Sequence, residues 1–232
     1  DNKMVSVELS SQQLKTLSRN DNVNFIEEDK LVTASSNEVI AKKTNIKKKK
    51  IHKLKKKVYK KNTADKEWNV QMIQADQVVD DAGEKVKVAI LDSGIDWGND
   101  INLAYQVSLV PGEEEMTQIF MDGNGHGSSV ASLIAANNDG EGITGINTNV
   151  DIYSYRVLGD DNQAPVSRVI EAIYMAIEQK VNIINMSFGL SEYSEALEQA
   201  VHDAQKAGIL IIAAAGNTGE GGVQYPAALD DV

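Results

Sequence analysis

Two hydrophobic periods alternate along the chain from residue 68 onward. Predominantly apolar runs stand at Val86-Lys87-Val88-Ala89-Ile90-Leu91, over residues 150–157, at Val181-Asn182-Ile183-Ile184-Asn185-Met186 and at Ile209-Leu210-Ile211-Ile212-Ala213. Between them, apolar residues recur at helical spacing. Val169, Ile170, Ile173 and Ile177 share one face over 167–179, and Leu197, Ala200, Val201 and Ala204 share one over 194–207, which Gly208 ends. A more uniformly apolar helix is predicted over 128–136. Strands apolar on both faces and separated by helices predict a parallel sheet covered on both sides. In such a sheet, ligands gather beyond the carboxyl ends of the strands. Asp92, Ser187 and residues 214–217 each follow a predicted strand, so their loops are expected at one edge.

The front of the chain follows a different pattern. Val5, Val7 and Leu9 alternate with polar residues and predict a half-buried strand over 4–9. Ser10 or Ser11 caps a short helix carrying Leu14 and Leu17. After the Asn20-Asp21-Asn22 turn, Val23-Asn24-Phe25-Ile26 begins a second strand. Residues 42–61 then hold 12 lysines. A block this charged repels itself, which predicts an extended linker. Ile51, Leu54 and Val58 fall at helical spacing, compatible with a transient amphipathic helix. Three functional readings stand beside the plain linker: a membrane or cell-wall anchor, a dock for an acidic unit, and a protease-sensitive tether.

At 232 residues and 42% hydrophobic, the chain has material for one sizeable domain plus an extra segment. Charge separates the two. Residues 1–66 hold 17 basic and 8 acidic residues, whereas 67–232 hold 6 and 26. A unit of net charge −20 is a poor match for nucleic acid, whose binding requires phosphate neutralisation. Without cysteine there is no disulfide or thiol chemistry, and three histidines argue against a zinc site. No run reaches the roughly 18 apolar residues of a membrane span. Residues 1–4 carry no signal-peptide pattern, which fits a start inside a longer precursor or export without a visible signal.

Three short motifs carry candidate chemistry. An acyl-transfer site needs a nucleophile, a base, an acid that orients the base, and donors for the oxyanion. Asp92-Ser93-Gly94 puts a carboxylate at a strand end. Gly125-His126-Gly127 lets the backbone pass close to an imidazole at the start of the 128–136 helix. Ala214-Ala215-Gly216-Asn217 supplies a side-chain amide. Asp92 can accept a hydrogen bond from one ring nitrogen of His126, leaving the other as a general base. Singly, each motif reads as a cap, a Gly-rich loop or a turn. In this order, each at a strand or helix end, they are far more specific. Gly140-Glu141-Gly142-Ile143-Thr144-Gly145 also fits a dinucleotide fingerprint. It has a helix before it and a strand after, the reverse of what that site requires.

Several stretches together resemble the subtilisin family of serine proteases. They are Val88-Ala89-Ile90-Leu91-Asp92-Ser93-Gly94-Ile95-Asp96, Asp122-Gly123-Asn124-Gly125-His126-Gly127, Ile183-Ile184-Asn185-Met186-Ser187-Phe188-Gly189, Ala213-Ala214-Ala215-Gly216-Asn217 and Tyr225-Pro226-Ala227. The resemblance is nearly continuous over 68–232. It implies an α/β, subtilisin-like three-layer fold with a mostly parallel sheet, and a serine endopeptidase working through an acyl-enzyme with no catalytic cofactor. It makes Asp92 the orienting acid, His126 the general base and Asn217 the oxyanion donor. The family's Gly-Thr-Ser-x-Ala nucleophile motif is expected several dozen residues past Asn217 and is not among these 232 residues. Ser187, Phe188 and Gly189 would pair with substrate backbone, and Ala214, Ala215 and Gly216 would line the specificity pocket. Gln224 would stand at the pocket floor, implying a polar or charged substrate side chain, and Val166 with Val169 would shape a second, apolar pocket. The loop with Asn137, Asn138, Asp139 and Glu141 resembles one that holds structural calcium through hard oxygen donors. A solvated polar turn is its other reading.

Residues 5–32, including Val23-Asn24-Phe25-Ile26-Glu27-Glu28-Asp29, resemble the second half of an α+β (ferredoxin-like) inhibitory prosegment. Trp68-Asn69-Val70-Gln71-Met72-Ile73-Gln74-Ala75 resembles the start of a mature enzyme. The implied organisation is a partial prosegment over 1–41 acting as intramolecular inhibitor. A Lys-rich linker follows over 42–66, with or near the maturation cleavage, and the N-terminal part of a catalytic domain covers 67–232. Ser128-Ser129-Val130-Ala131-Ser132 departs from the family's usual Thr-His-Val-Ala-Gly and is more like processing subtilases, including lantibiotic leader peptidases. The expectation is a self-maturing bacterial enzyme, secreted or at the cell surface, that cuts a peptide or protein precursor. Alternatives are an intracellular location, a non-catalytic binder of the same fold, and a nucleotide-binding doubly wound domain.

Overall fold

The computed structural model describes residues 4–35, 68–78, 83–96, 100–113, 122–139 and 142–232. The Lys-rich linker and Glu141 lie outside the described residues. The chain order is α1 (Ser11–Leu17), β1 (Leu31–Ala34), α2 (Trp68–Met72), β2 (Val86–Asp92), β3 (Leu103–Ser108), α3 (His126–Ala135), β4 (Val150–Arg156), β5 (Gln163–Pro165), α4 (Val166–Glu178), β6 (Ile183–Met186), β7 (Phe188–Gly189), α5 (Glu195–Lys206) and β8 (Leu210–Ala213). Five strands form a parallel sheet in the order β3-β4-β2-β6-β8.

The central strand β2 is buried on both faces because successive side chains point opposite ways. Val88 and Ile90 join Ile152, Ala131 and Ala135 beneath α3. Ala89 and Leu91 join Ile184, Met186 and Ile211 beneath α4 and α5. Helices on both faces with one sheet between them make three layers. The alternation of helical and strand periods in the sequence encodes this arrangement directly. The sheet edge strand β3 escapes that pattern. Its six residues are mostly half-buried, and its sequence, Leu-Ala-Tyr-Gln-Val-Ser, lacks a run of apolar positions.

Residues 4–35 lie against this body and contribute little core of their own. No residue of α1 is buried, and Ser10 forms a complete capping box with Gln13. The strands predicted over 4–9 and from Val23 do not form. Both stretches lack strand pairing, and Val5 is 75% exposed. Alternating side chains offer a face, but a strand also needs a hydrogen-bonding neighbour, and the described residues give these two none. The strand of this segment is β1 instead. It lies between β5 and β7, antiparallel to both, with Thr33 opposite Gln163 and Gly189. Val32 and Ala34 are buried there, while Leu31 and Thr33 face outward.

Two acidic residues fasten the same segment to helix starts. Helix α4 follows Pro165 with no side-chain cap of its own. Asp29 supplies one, accepting from the Ser167 N–H at 2.9 Å and from Ser167 Oγ at 2.6 Å. Glu27 accepts from Ser194 Oγ at 2.6 Å and from the Glu195 N–H at 3.0 Å at the start of α5. Both carboxylates sit where free N–H groups and the helix dipole favour negative charge.

Candidate active site

The parallel register brings three loops to one edge. Leu91 pairs with Met186 and Met186 with Ala213. Asp92, Ser187 and Ala214 therefore stand level at the carboxyl ends of three adjacent strands, β2, β6 and β8. With strands spaced about 4.8 Å apart, the outer two of these loops are about 10 Å from each other.

Asp92 and His126 meet directly. His126 is the first residue of α3, after Gly125 in the left-handed conformation (φ 88°). Its Nδ1 lies 2.7 Å from Asp92 Oδ1, which also accepts from the Ser93 N–H at 2.7 Å. Asp92 is 1% exposed, and its Oδ2 is buried without a hydrogen bond to any described residue. The hydrogen bond to Asp92 raises the pKa of His126 above its ordinary 6.5. Burial opposes this, and the charges of Asp92 and Asp122 add to it. Gly127 permits the approach. A Cβ there would collide with the Gly94 carbonyl and stand 3.1 Å from the Asp92 Cβ.

Three further residues support this pair, and none was assigned a role from the sequence. Asp122 Oδ1 accepts from Ser93 Oγ (2.8 Å), the Asn124 N–H (3.2 Å) and the Gly125 N–H (2.7 Å), while its Oδ2 accepts from the Ser128 N–H (2.8 Å). It thus caps α3 and ties the histidine loop to the aspartate loop. Its signal was available as an Asp shortly before a helix start. Arg156, at the end of β4 opposite Asp92, donates through Nε to Glu113 at 2.8 Å and through Nη2 to Asp160 at 2.9 Å. Its Nη1 donates to the Ser93 carbonyl. Glu113 is held below the usual carboxylate range, chiefly by the hydrogen bond from Arg156. Only the pairing with Asp160, four residues on, is local; Glu113 and Ser93 are 43 and 63 residues from Arg156 in sequence.

Past the ends of β7 and β8, and against β1, lies a cavity of about 310 Å³. Leu31, Thr33, Ala34, Ser35, Gly189, Leu190, Ser191, Asn217, Thr218 and Gln224 line it. Asn217 and Gln224 therefore face one space, with Gly189 on its wall. Gly216 is left-handed (φ 92°), and the Gln224 N–H donates to the Ala215 carbonyl at 3.0 Å. Ser187 contributes its carbonyl, which accepts from the Ser35 N–H at 2.9 Å. Phe188 is fully buried under the groove, and Ala214 bonds back to the Met186 carbonyl.

The proposed calcium loop lies away from this edge. The Asn137 N–H donates to Asp100 Oδ1 at 3.2 Å, and Asn138 and Asp139 are exposed. Burial raises the pKa of Asp100, the Asn137 N–H lowers it, and the charge of Asp139 raises it further. Two carboxylates that feel each other beside amide and carbonyl oxygens suit a hard cation. Among the described residues there is no group of three or more metal-ligating His, Cys, Asp or Glu side chains. Gly145 packs its backbone against Ala135 and Ala136 at the end of α3. The helix-before, strand-after order therefore holds in three dimensions and leaves the dinucleotide fingerprint without its geometry.

The match to known families now decides between readings of this edge. The family described as "Subtilase family" matches residues 83–232. This chain belongs to the subtilase family. Its three-layer parallel sheet is the subtilisin-like α/β fold. Curated relatives include the "Alkaline protease" of Alkalihalobacillus alcalophilus, 34% identical over 97% of this chain and 51% of the relative. The "Alkaline elastase YaB" of Bacillus sp. (strain YaB) is 40% identical over 69% of the chain and 42% of its own length. The "Minor extracellular protease Epr" of Bacillus subtilis (strain 168) is 36% identical over 72% and 26%. The subtilase chain spans about half the length of the alkaline proteases it matches. The match to the first relative covers nearly the whole chain, so it extends well in front of residue 83.

Proposed function

We propose that the complete protein is a self-maturing serine endopeptidase in which Asp92, His126 and Asn217 act with a serine hydroxyl from outside these residues. The observation that carries this is the 2.7 Å contact between His126 Nδ1 and a buried Asp92 at the carboxyl edge of the sheet. Asp92 holds the imidazole with Nε2 free to take the serine proton as the hydroxyl attacks a peptide carbonyl. The same ring then returns the proton to the leaving amine. Asn217 donates to the oxygen that becomes negative in between. Water repeats the cycle on the acyl-enzyme. Labelling of the complete protein with a serine-directed phosphonate tests the reading. Strong labelling that falls by orders of magnitude in His126→Ala is expected. Absent labelling would instead favour a non-catalytic binder of the same fold.

Residues 4–35 serve as an inhibitory prosegment in this reading. Support comes from β1, which fills the groove beside Asn217, and from Glu27 and Asp29 on the helix starts. Secretion is inferred from a relative whose name says extracellular. Cleavage of a peptide precursor, rather than general degradation, fits the Ser128-Ser129 departure. In this structure Ser128 Oγ accepts the Asp96 N–H at 2.7 Å. Calcium at the 137–141 loop would be structural and held by Asp139 and the neighbouring Asp100. Added calcium is expected to raise the Tm of the complete protein by several degrees, and Asp100→Asn with Asp139→Asn to remove the increase. An equal Tm with and without calcium would refute the site.

A further inference from the structure

Strand β1 carries a fixed register toward the carboxyl edge of the sheet. Antiparallel pairing aligns Leu31 with Pro165, Val32 with Ala164 and Thr33 with both Gln163 and Gly189. Ala34 is opposite Phe188, and two more backbone bonds continue the alignment. The Ala34 N–H donates to the Asn162 carbonyl at 3.0 Å, and the Ser35 N–H donates to the Ser187 carbonyl at 2.9 Å. Ser187 is the residue just past β6, level with Asp92, so the segment reaches the catalytic edge at Ser35. Ser35 also shares the cavity with Asn217, the candidate oxyanion donor. Its hydroxyl is buried there and bonds to no described residue.

Gln224 lines the same cavity as Ser35. A Cβ added at Gly189 would stand 2.8 Å from Gln224 Oε1 and 2.9 Å from its Cβ, and one at Gly216 would stand 2.8 Å from its Cγ. The Gln224 side chain therefore fills the slot between the two glycine walls. Its amide occupies space that a long substrate side chain would need. The sequence-based expectation, in which Gln224 receives a polar or charged substrate side chain, is the competing reading of this position. Further along the groove, fully buried Val32 packs in the same cluster as Ala164, Val166 and Val169.

We infer that the self-processing bond is the one joining Ser35 to Ser36, and that Gln224 restricts the position before the cut to small side chains. The inference rests on the protease reading above. In the reaction, the Ser35 C–N bond breaks and one water is consumed. Ser35 leaves with a new carboxylate and Ser36 with a new amine. The lysine-rich residues 42–61 consequently stay on the catalytic unit as its amino-terminal extension.

The test uses the complete protein, with mass spectrometry of both products after maturation. The released segment is expected to end at Ser35, a result that later trimming of the catalytic unit does not alter. Ser35→Phe is expected to slow the cut by about 10–200-fold, the range for one misfitting group in a pocket, and Gln224→Gly added to it to restore the rate. Peptides ending Leu-Val-Thr-Ala-Ser before a chromogenic leaving group should outrun the corresponding Phe peptides by a similar factor, with the preference reversed in Gln224→Gly. A phosphonate-reactive protein whose released segment ends anywhere else overturns this inference alone. So does release at Ser35 that persists in His126→Ala, since another protease would then be responsible. A protein that neither labels nor cuts overturns the protease reading with it.

Discussion

At the scale of single residues, the proposed mechanism makes His126 the group that sets the pH response. A general base must be neutral, and the Asp92 hydrogen bond raises the His126 pKa above 6.5. The acid limb of kcat/KM for the complete protein is therefore expected above pH 6.5. Asp92→Asn should move that limb downward as well as lowering the rate, and an unmoved limb would assign it to another group. Stability responds in the opposite sense. The folded state binds this proton more tightly than the unfolded chain, so the protonated pair stabilises the fold fully below about pH 6.5. That contribution is lost as pH rises through the raised value. Asp92, His126 and Asn217 were legible as residues because each sits in a short motif with its own backbone demand. Asp100, Arg156 and Glu113 were not, because their meaning depends on partners far along the chain.

At the scale of elements, helix starts and strand ends do the positioning. Arg156 closes β4 and reaches the carbonyl of Ser93, the residue after Asp92. Arg156→Met would remove this donor from the Ser93 carbonyl and leave Glu113 with Ser108 Oγ as its side-chain donor. A loss of about 2–4 kcal/mol is expected, toward the low end of the range for broken buried pairs because Asp160 is largely solvent-exposed. Chemical denaturation of the complete protein measures it. Glu27 and Asp29 act on α5 and α4 in the same way, across the junction between segment and body. Each of Glu27→Gln and Asp29→Asn should weaken inhibition by an added 1–35 peptide about tenfold, ~1.4 kcal/mol for a charge-assisted bond. An unchanged inhibition constant would remove the caps from the binding account. The short strand β5 was invisible in the sequence, and β7 was expected only through the family resemblance. Three and two residues carry no period, and these strands exist only because β1 lies between them.

At the scale of the whole molecule, the chain divides into a body with a core and a segment without one. The buried side chains of β1, Val32 and Ala34, are covered by the groove, and Phe25 and Met4 pack against the body's core. A peptide of residues 1–35 alone should therefore show no cooperative unfolding and a coil-like circular dichroism spectrum, gaining structure only on the catalytic unit. A folded isolated peptide would contradict this. The strands expected over 4–9 and from Val23 mistook an alternating pattern for a paired one. By itself the sequence determined the three-layer body, because each strand and helix there carries its own apolar period. It also marked Asp92, His126 and Asn217 as candidates for the chemistry of one sheet edge. Only the tertiary structure decided that Ser35 of the front segment shares one cavity with Asn217 and Gln224. Register between distant strands is fixed by pairing and packing, and no local run of residues records it.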